Sequence, residues 1–290
     1  MRANLRGKTI ASPWQATCVL LLVLTAATTA CGGASGTASP TLLVGVAASL
    51  EPLFRELTPA FEADAGVDVT LVVGSSGALA QQIRQGAPLD AFASADLGHA
   101  RSLLAGESLV LDGRFSTFAE GRLAVVTGLA TATNLAWTDI VTDSRVRHLA
   151  IANPELSPYG ERARAALGAV GLWAEAKPRM VFGESVSQVL AFAQSDSAEV
   201  AFVALSHVRA GLAGELSAYP VDPCLHDGLN QVIVGVSSTE HPQLVRRLID
   251  FVGSDRAHPT LERLGYADGH GRLGRPECGK GSSAPTQGAP

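Results

Sequence analysis

The chain has 290 residues and a formal net charge of −5; 47% of it is hydrophobic and only 17% charged, a balance that suits compact folded lobes and excludes a disordered chain. No basic cluster is present to meet nucleic acid, and no apolar stretch is long enough to span a bilayer stably. Aromatic residues make up 5%, so the core has to be built mainly from Ala, Val and Leu.

The N-terminus reads as a processing segment over residues 1–30. Arg2, Arg6 and Lys8 form a basic start, and an apolar run follows from Cys18 to Ala27. Then comes Thr28-Thr29-Ala30-Cys31-Gly32. Small residues ahead of a cysteine, with glycine behind it, resemble a bacterial lipoprotein cleavage site, although Thr28 stands where such sites prefer Leu. Lipid attachment at Cys31 is the favoured expectation, and ordinary signal cleavage nearby is the alternative. Cleavage before Cys31 removes three positive charges and lowers the net charge from −5 to −8, so a bound anion would have to be held locally, against the overall field. Residues 31–40 form a Gly/Ser/Ala spacer.

From Thr41 onward strands and helices alternate. Leu42–Ala47 is a short apolar run of the buried-strand kind, and Leu50, Leu53, Phe54, Leu57 and Phe61 follow helical spacing. Val67–Val73 predicts a strand, Gly77–Gln85 a short helix, Asp90–Ser94 a strand and Leu97–Ala105 a helix. Strand-like runs recur at Leu123–Val126, Leu149–Ala152, Met180–Phe182, Val200–Val203 and Val232–Val236. Helical patterns occupy Glu161–Val170, Ser187–Gln194 and Gln243–Val252. This rhythm predicts α/β architecture with parallel sheets covered by helices. Two lobes are expected, one from residues 41–122 with 232–267 and one from 123–231. Residues 268–290, rich in Gly, Pro and Ser, predict a flexible tail. Cys224 and Cys278 remain once Cys18 and Cys31 are assigned to the leader and its cleavage site. In an oxidising compartment they are either a disulfide that ties this tail to the body or two free thiols.

Four strand-to-helix junctions share one design. Ser49 in Ala47-Ala48-Ser49-Leu50 occupies an N-cap position, and Gly74-Ser75-Ser76-Gly77 precedes a short helix. Ser157 precedes Pro158 at a first helical position, and Gly183-Glu184-Ser185-Val186 opens a fourth helix. Each helix start leaves N–H groups unpaired at a positive dipole end, which makes it a natural anion site. Gly77 and Gly160 are expected to let a ligand approach the backbone. The four loops contain no Lys or Arg. Such a set suits a fully ionised tetrahedral oxyanion, which needs donors only, whereas a protonated phosphate also wants an acceptor. Any one serine cap is more often structural than functional; it is the recurrence of four that carries weight.

Three blocks sharpen the reading: Val46–Leu50 (VAASL), Gly74–Asp96 (GSSGALAQQIRQGAPLDAFASAD) and Ala152–Leu167 (ANPELSPYGERARAAL). Through them the chain resembles bacterial periplasmic molybdate-binding proteins, the receptors of molybdate ABC importers. The resemblance implies a type II periplasmic-binding-protein fold, two α/β lobes each with a mostly parallel sheet, closing on the ligand in the cleft between them. It implies that molybdate, and with it tungstate, is held by Ser49, Ser76, Tyr159 and Val186, the last two through backbone N–H. It also implies delivery to a membrane permease, a periplasmic location, a monomer, no enzymatic activity and no cofactor or direct metal-cation ligand. One departure stands out. Some members offer a tyrosine hydroxyl where this chain has Ala204, and the Tyr159 hydroxyl is the candidate replacement.

Several residues look chemical without fitting this chemistry. Asp90 and Asp96 would repel a dianion and are read as capping or packing groups. Arg162 and Arg164 are either aids to long-range attraction or a solvated helix face. Cys224-Leu225-His226 gives too few ligands for a metal. The rival readings are a sulfate or thiosulfate receptor of the same fold, an envelope ligand sensor, and a serine hydrolase using Ser49 or Ser76. No base at hydrogen-bonding spacing supports the last of these, the spacing of Gly-x-Ser-x-Gly is absent, and no Walker lysine follows a glycine-rich loop.

Overall fold

The computed structural model describes residues 39–105, 108–129, 135–268 and Cys278. The leader, Cys31 and nearly all of the spacer and tail lie outside the described residues.

In chain order the first part runs β1 (Thr41–Ala47), α1 (Glu51–Ala65), β2 (Asp68–Gly74), α2 (Ser76–Arg84), β3 (Ala91–Ser94), α3 (Leu97–Arg101) and β4 (Ser116–Gly121). The second runs β5 (Leu123–Thr127), α4 (Trp137–Val141), β6 (Leu149–Ala152), α5 (Pro158–Ala169), α6 (Trp173–Ala176), β7 (Met180–Gly183), α7 (Val186–Gln194), β8 (Val200–Ala204), α8 (Leu205–Arg209) and β9 (Ser217–Pro220). The chain then returns through β10 (Leu229–Gly235), α9 (Pro242–Val252), α10 (His258–Arg263) and β11 (Ala267–Asp268).

Two sheets result, and each founds a lobe. The first has the order β11-β4-β10-β3-β1-β2 and the second β7-β6-β8-β5-β9. Both are mixed, which corrects the expectation of mostly parallel sheets. β1 runs parallel to β2 and β3, but β10 is antiparallel to β3 and β4. In the second sheet β6 runs parallel to β7 and β8, and β5 is antiparallel to β8 and β9. Besides the short terminal β11, antiparallel to β4, the reversed strands are those that carry the chain between lobes. β5 enters the second lobe directly from β4, and β10 brings the chain back, so each meets its neighbours from the opposite direction.

Local chemistry explains the elements. In α1, Leu53, Phe54, Leu57 and Phe61 are buried along one face, Pro52 sits in the first turn, and Gly66 closes the helix in the left-handed region at φ 65°. α9 buries Val245, Leu248 and Val252 at the same spacing. β5 and β8 are buried throughout, as expected for strands covered on both faces.

A single residue, Arg122, separates β4 from β5, and its carbonyl accepts the Leu205 N–H at 2.9 Å where α8 begins. The return crossing passes a short turn at Pro223–Leu225. There Cys224 is disulfide-bonded to Cys278, with 5.4 Å between the Cα atoms.

Candidate functional site

All four serine-bearing junctions meet in one place. Ala47 at the end of β1 with Ala48 and Ser49 after it, Ser75 and Ser76 after β2, Ser157, Pro158 and Tyr159 after β6, and Ser185 and Val186 after β7 line one narrow cavity, with Ala95 beside them. The first two groups belong to one lobe and the last two to the other, so the cavity is the interlobe cleft at the carboxyl ends of the strands. Its lining carries no ionisable acid and no cation. The structure therefore brings together Ser49, Ser76, Tyr159 and Val186.

The serines differ in what their hydroxyls do. Ser49 is not a cap: the backbone passes through a 3-10 turn, Ala48–Leu50, before α1, and neither start makes a side-chain cap bond. This corrects the expected N-cap role. Its Oγ is buried and has no hydrogen-bond partner in the protein. Ser76 is the first residue of α2. Its Oγ accepts the buried Ala95 N–H at 3.0 Å, which occupies a lone pair and leaves its own proton to be donated elsewhere. Ser157 and Ser185 are true caps, accepting from Gly160 N at 3.5 Å and Gln188 N at 3.3 Å. The Gln188 side chain in turn accepts the N–H of Glu184, the residue before the cap, at 2.6 Å.

The backbone donors follow from those caps. In the first turn of α5, Pro158 has no N–H and that of Gly160 goes to Ser157, so Tyr159 is the residue whose amide is left over. Val186 is the first helical residue of α7, directly after the Ser185 cap, and its amide too has no acceptor within the helix.

Gly77 and Gly160 are each required by the protein's own packing. The Gly77 N–H donates to the Leu156 carbonyl at 2.8 Å, which joins the two lobes across the cleft, and a Cβ there would lie 2.9 Å from that oxygen. A Cβ on Gly160 would run into the Ala152 carbonyl at the end of β6.

Tyr159 is wholly buried. Burial pushes its pKa well above the ordinary tyrosine value, the nearby Tyr266 adds to this, and Ser49 and Arg122 pull weakly the other way. The hydroxyl thus stays protonated, a donor at every physiological pH. It sits over Gly121, where no Cβ could fit, with the Gln231 side chain close by. It lies near Ser49 Oγ without reaching hydrogen-bond geometry, and has no partner in the protein. Sequence reasoning missed Gly121 and Arg122. They come from the β4–β5 crossing, far from any serine loop in sequence, and only the fold brings them behind Tyr159.

The carboxylates singled out in the sequence are committed to other partners, and Asp90 lies at the amino end of the first sheet, away from the cleft. Asp96 caps α3 by accepting His99 N at 2.9 Å and pairs with His99 Nδ1. Burial raises its pKa, but the His99 bonds and charge, with Arg162 further off, bring the net value below the usual range. Asp90 accepts from Leu43 N and Thr239 Oγ1. Arg162 donates to the Asp227 carbonyl at 3.0 Å and pairs with Glu161, and Arg164 pairs with Glu155 at 3.6 Å. A wider hollow of about 410 Å³ lies between α1 and helices α7 and α8. Glu51, Glu56 and Arg55 line it, and Arg55 is paired with Glu51, so Glu56 is left to oppose an anion there. Among the described residues no group of three or more His, Cys, Asp or Glu converges as a metal site.

Comparison with known proteins agrees with this geometry. Residues 42–267 match the family model of bacterial extracellular solute-binding proteins. The molybdate-binding protein ModA of Rhodobacter capsulatus is 29% identical over 225 residues, covering 78% of this chain and 87% of that protein. The putative ABC transporter substrate-binding lipoprotein YvgL of Bacillus subtilis is 24% identical over 232 residues, 78% of this chain and 86% of its own length. Among solved structures, the periplasmic molybdate-binding protein of Azotobacter vinelandii superposes with a TM-score of 0.71 at 27% identity, covering 78% of this chain and 98% of that one.

Proposed function

The chain belongs to the family of bacterial extracellular solute-binding proteins, and from that premise we propose that it captures molybdate in the interlobe cleft and delivers it to the permease of an ABC importer. The observation that carries the reading is a buried cavity walled by neutral groups, with Ser49 Oγ, the Ser76 hydroxyl proton and the first-turn amides of Tyr159 and Val186 left to donate. A fully ionised tetrahedral anion accepts from every side and offers no proton, so a site of donors alone matches it. Donors fixed at helix starts hold such a charge without a counter-cation. Tungstate has the same charge and shape, and the proposed site binds it as well. Capture and delivery need no bond-making chemistry, so the proposed role is that of a receptor and not an enzyme.

The test is thermal unfolding of the mature protein with molybdate, tungstate, sulfate and phosphate. A ligand that binds only the folded state stabilises it by mass action, about 2.7 kcal/mol at a concentration a hundredfold above its Kd. For a chain of this size that is a rise on the order of 5–10 °C. Molybdate should produce it and sulfate much less, because a cavity shaped for the larger anion leaves donors too distant from the smaller. Equal shifts by the two would replace molybdate with sulfate as the ligand.

We further propose that Cys31 carries the lipid that anchors the protein at the membrane surface. The small residues ahead of it and the likeness to a protein named as a lipoprotein support this. A diacylglyceryl cysteine supplies enough acyl chain for stable anchoring. In fractionated cells the wild type should pellet with membranes and Cys31→Ala should move to the soluble fraction; a wild type already soluble refutes the anchor.

A further inference from the structure

We propose that Ser206 and Tyr266 are positioning residues for the anion site, acting through the carbonyl of Ser49. The inference rests on the ligand-binding reading of the cleft given above. Ser49 stands in a single 3-10 turn with no side-chain cap, so little in its own segment fixes its orientation. What fixes it comes from far away in the chain. The Ser49 carbonyl accepts hydrogen bonds from Ser206 Oγ and from the Tyr266 hydroxyl, each at 2.7 Å and each buried. The preceding carbonyl, of Ala48, is 2.9 Å from His207 Nε2. Burial lowers the pKa of His207, so the ring is neutral, and an acceptor that is a carbonyl requires Nε2 to carry the proton.

Two consecutive carbonyls are thus gripped by three donors. Both acceptor sites of the Ser49 oxygen are occupied, which fixes the plane of that peptide. Peptide planarity sets each N–H opposite its C=O. Holding the Ala48 and Ser49 carbonyls on α8 and Tyr266 therefore aims the Ser49 and Leu50 amides the other way, and none of α8 lines the cavity. Ser206 and His207 sit at the start of α8 in the second lobe, whereas Tyr266 follows α10 in the first. The Ser49 loop is therefore set from both lobes at once, beside the crossing where Leu205 bonds to Arg122. None of these donors touches the anion in this arrangement; they act by where they hold Ser49.

The test compares Ser206→Ala, Tyr266→Phe and the double variant, each with Ser49 present and with Ser49→Ala. Two readouts are needed: amide hydrogen exchange at residues 48–50 in ligand-free protein, and molybdate affinity by calorimetry. Each single variant leaves one donor on the carbonyl and should weaken binding by no more than about threefold. The double variant should weaken it about tenfold, raise exchange at residues 48–50, and have a smaller effect, about threefold, when Ser49 is already alanine, because the hydroxyl they aim is gone. Ser206→Thr keeps the donor and should bind like wild type. Wild-type affinity and exchange in the double variant would overturn the proposal. So would an equal fold-loss in both Ser49 backgrounds, the signature of a general loss of stability. Faster exchange at residues 48–50 in the double variant, with no molybdate heat from the wild type, would uphold the positioning of the loop and remove the molybdate reading alone.

Discussion

Ser49→Ala is expected to weaken molybdate binding by about ten- to a hundredfold while leaving the ligand-free melting temperature unchanged or slightly higher. A hydrogen bond to a charged group is worth about 1.5–3 kcal/mol, which sets that range. The melting temperature should not fall, because Ser49 caps nothing and its Oγ is buried without a partner in the protein. Alanine removes a polar atom whose burial itself costs on the order of 1–3 kcal/mol. Ser76→Ala should lose comparable affinity but also stability, since it strands the Ala95 N–H that Ser76 Oγ accepts. Ser157→Ala gives the opposite profile: a cap loss of about 1 kcal/mol with little change in binding. Calorimetry beside apo melting curves separates the three. Wild-type affinity in both Ser49→Ala and Ser76→Ala would place the anion somewhere other than this cleft.

Gly160→Ala should be the most damaging single methyl in the molecule. Its Cβ would be forced into the end of β6, with the Ala152 carbonyl carbon at 2.7 Å and the Asn153 carbonyl carbon at 3.1 Å. These are backbone atoms held against β7, Ala152 by strand pairing and Asn153 by its N–H bond to the Gly183 carbonyl at 2.7 Å, so they cannot swing aside as a side-chain tip would. Relief requires α5 to lift from β6, carrying Tyr159 and the Ser157 cap with it. A loss of about 3 kcal/mol or more is expected, which lowers the melting temperature on the order of 10 °C. Molybdate affinity should fall as well, because the displaced turn supplies a donor. A variant melting within about 2 °C of wild type would show that α5 has room the structure denies it.

The sequence was legible where one periodicity ruled a whole element. The apolar runs of β1, β5 and β8 and the spaced Val245, Leu248 and Val252 of α9 announce themselves. Elements of four to six residues, such as α4, α6, α8 and α10, were too short to show a period. β4 mixes buried and half-buried positions, and β9 ends on Pro220, which hides both. Strand direction was illegible for a different reason: a strand buried on both faces reads alike whichever way it runs, so β10 gave no hint of its antiparallel pairing. At the site, the recurrence of serines before helices picked out four loops that line one cavity. What each serine does was not legible, because it depends on how the backbone enters the helix. Ser157 precedes a Pro that commits the next residue to helix, and it caps; Ser49 enters through a 3-10 turn, and its hydroxyl is left over.

The place of β10 has a consequence for how the molecule is made. This strand sits in the interior of the first sheet, between β3 and β4, yet it is assembled from residues 229–235, after the whole second sheet has been laid down. A nascent chain that has emerged only as far as β9 carries a raw edge on β3 and a β4 with no partner on either side, because β10 and β11, the two strands that flank β4, are still to come. Pairings across so much intervening chain are slow to form, and open edges of this kind recruit other chains. Any truncation that stops short of Leu229 therefore yields not a smaller receptor but a sticky fragment, and the first lobe comes into being only when roughly the last fifth of the polypeptide arrives to fill its middle.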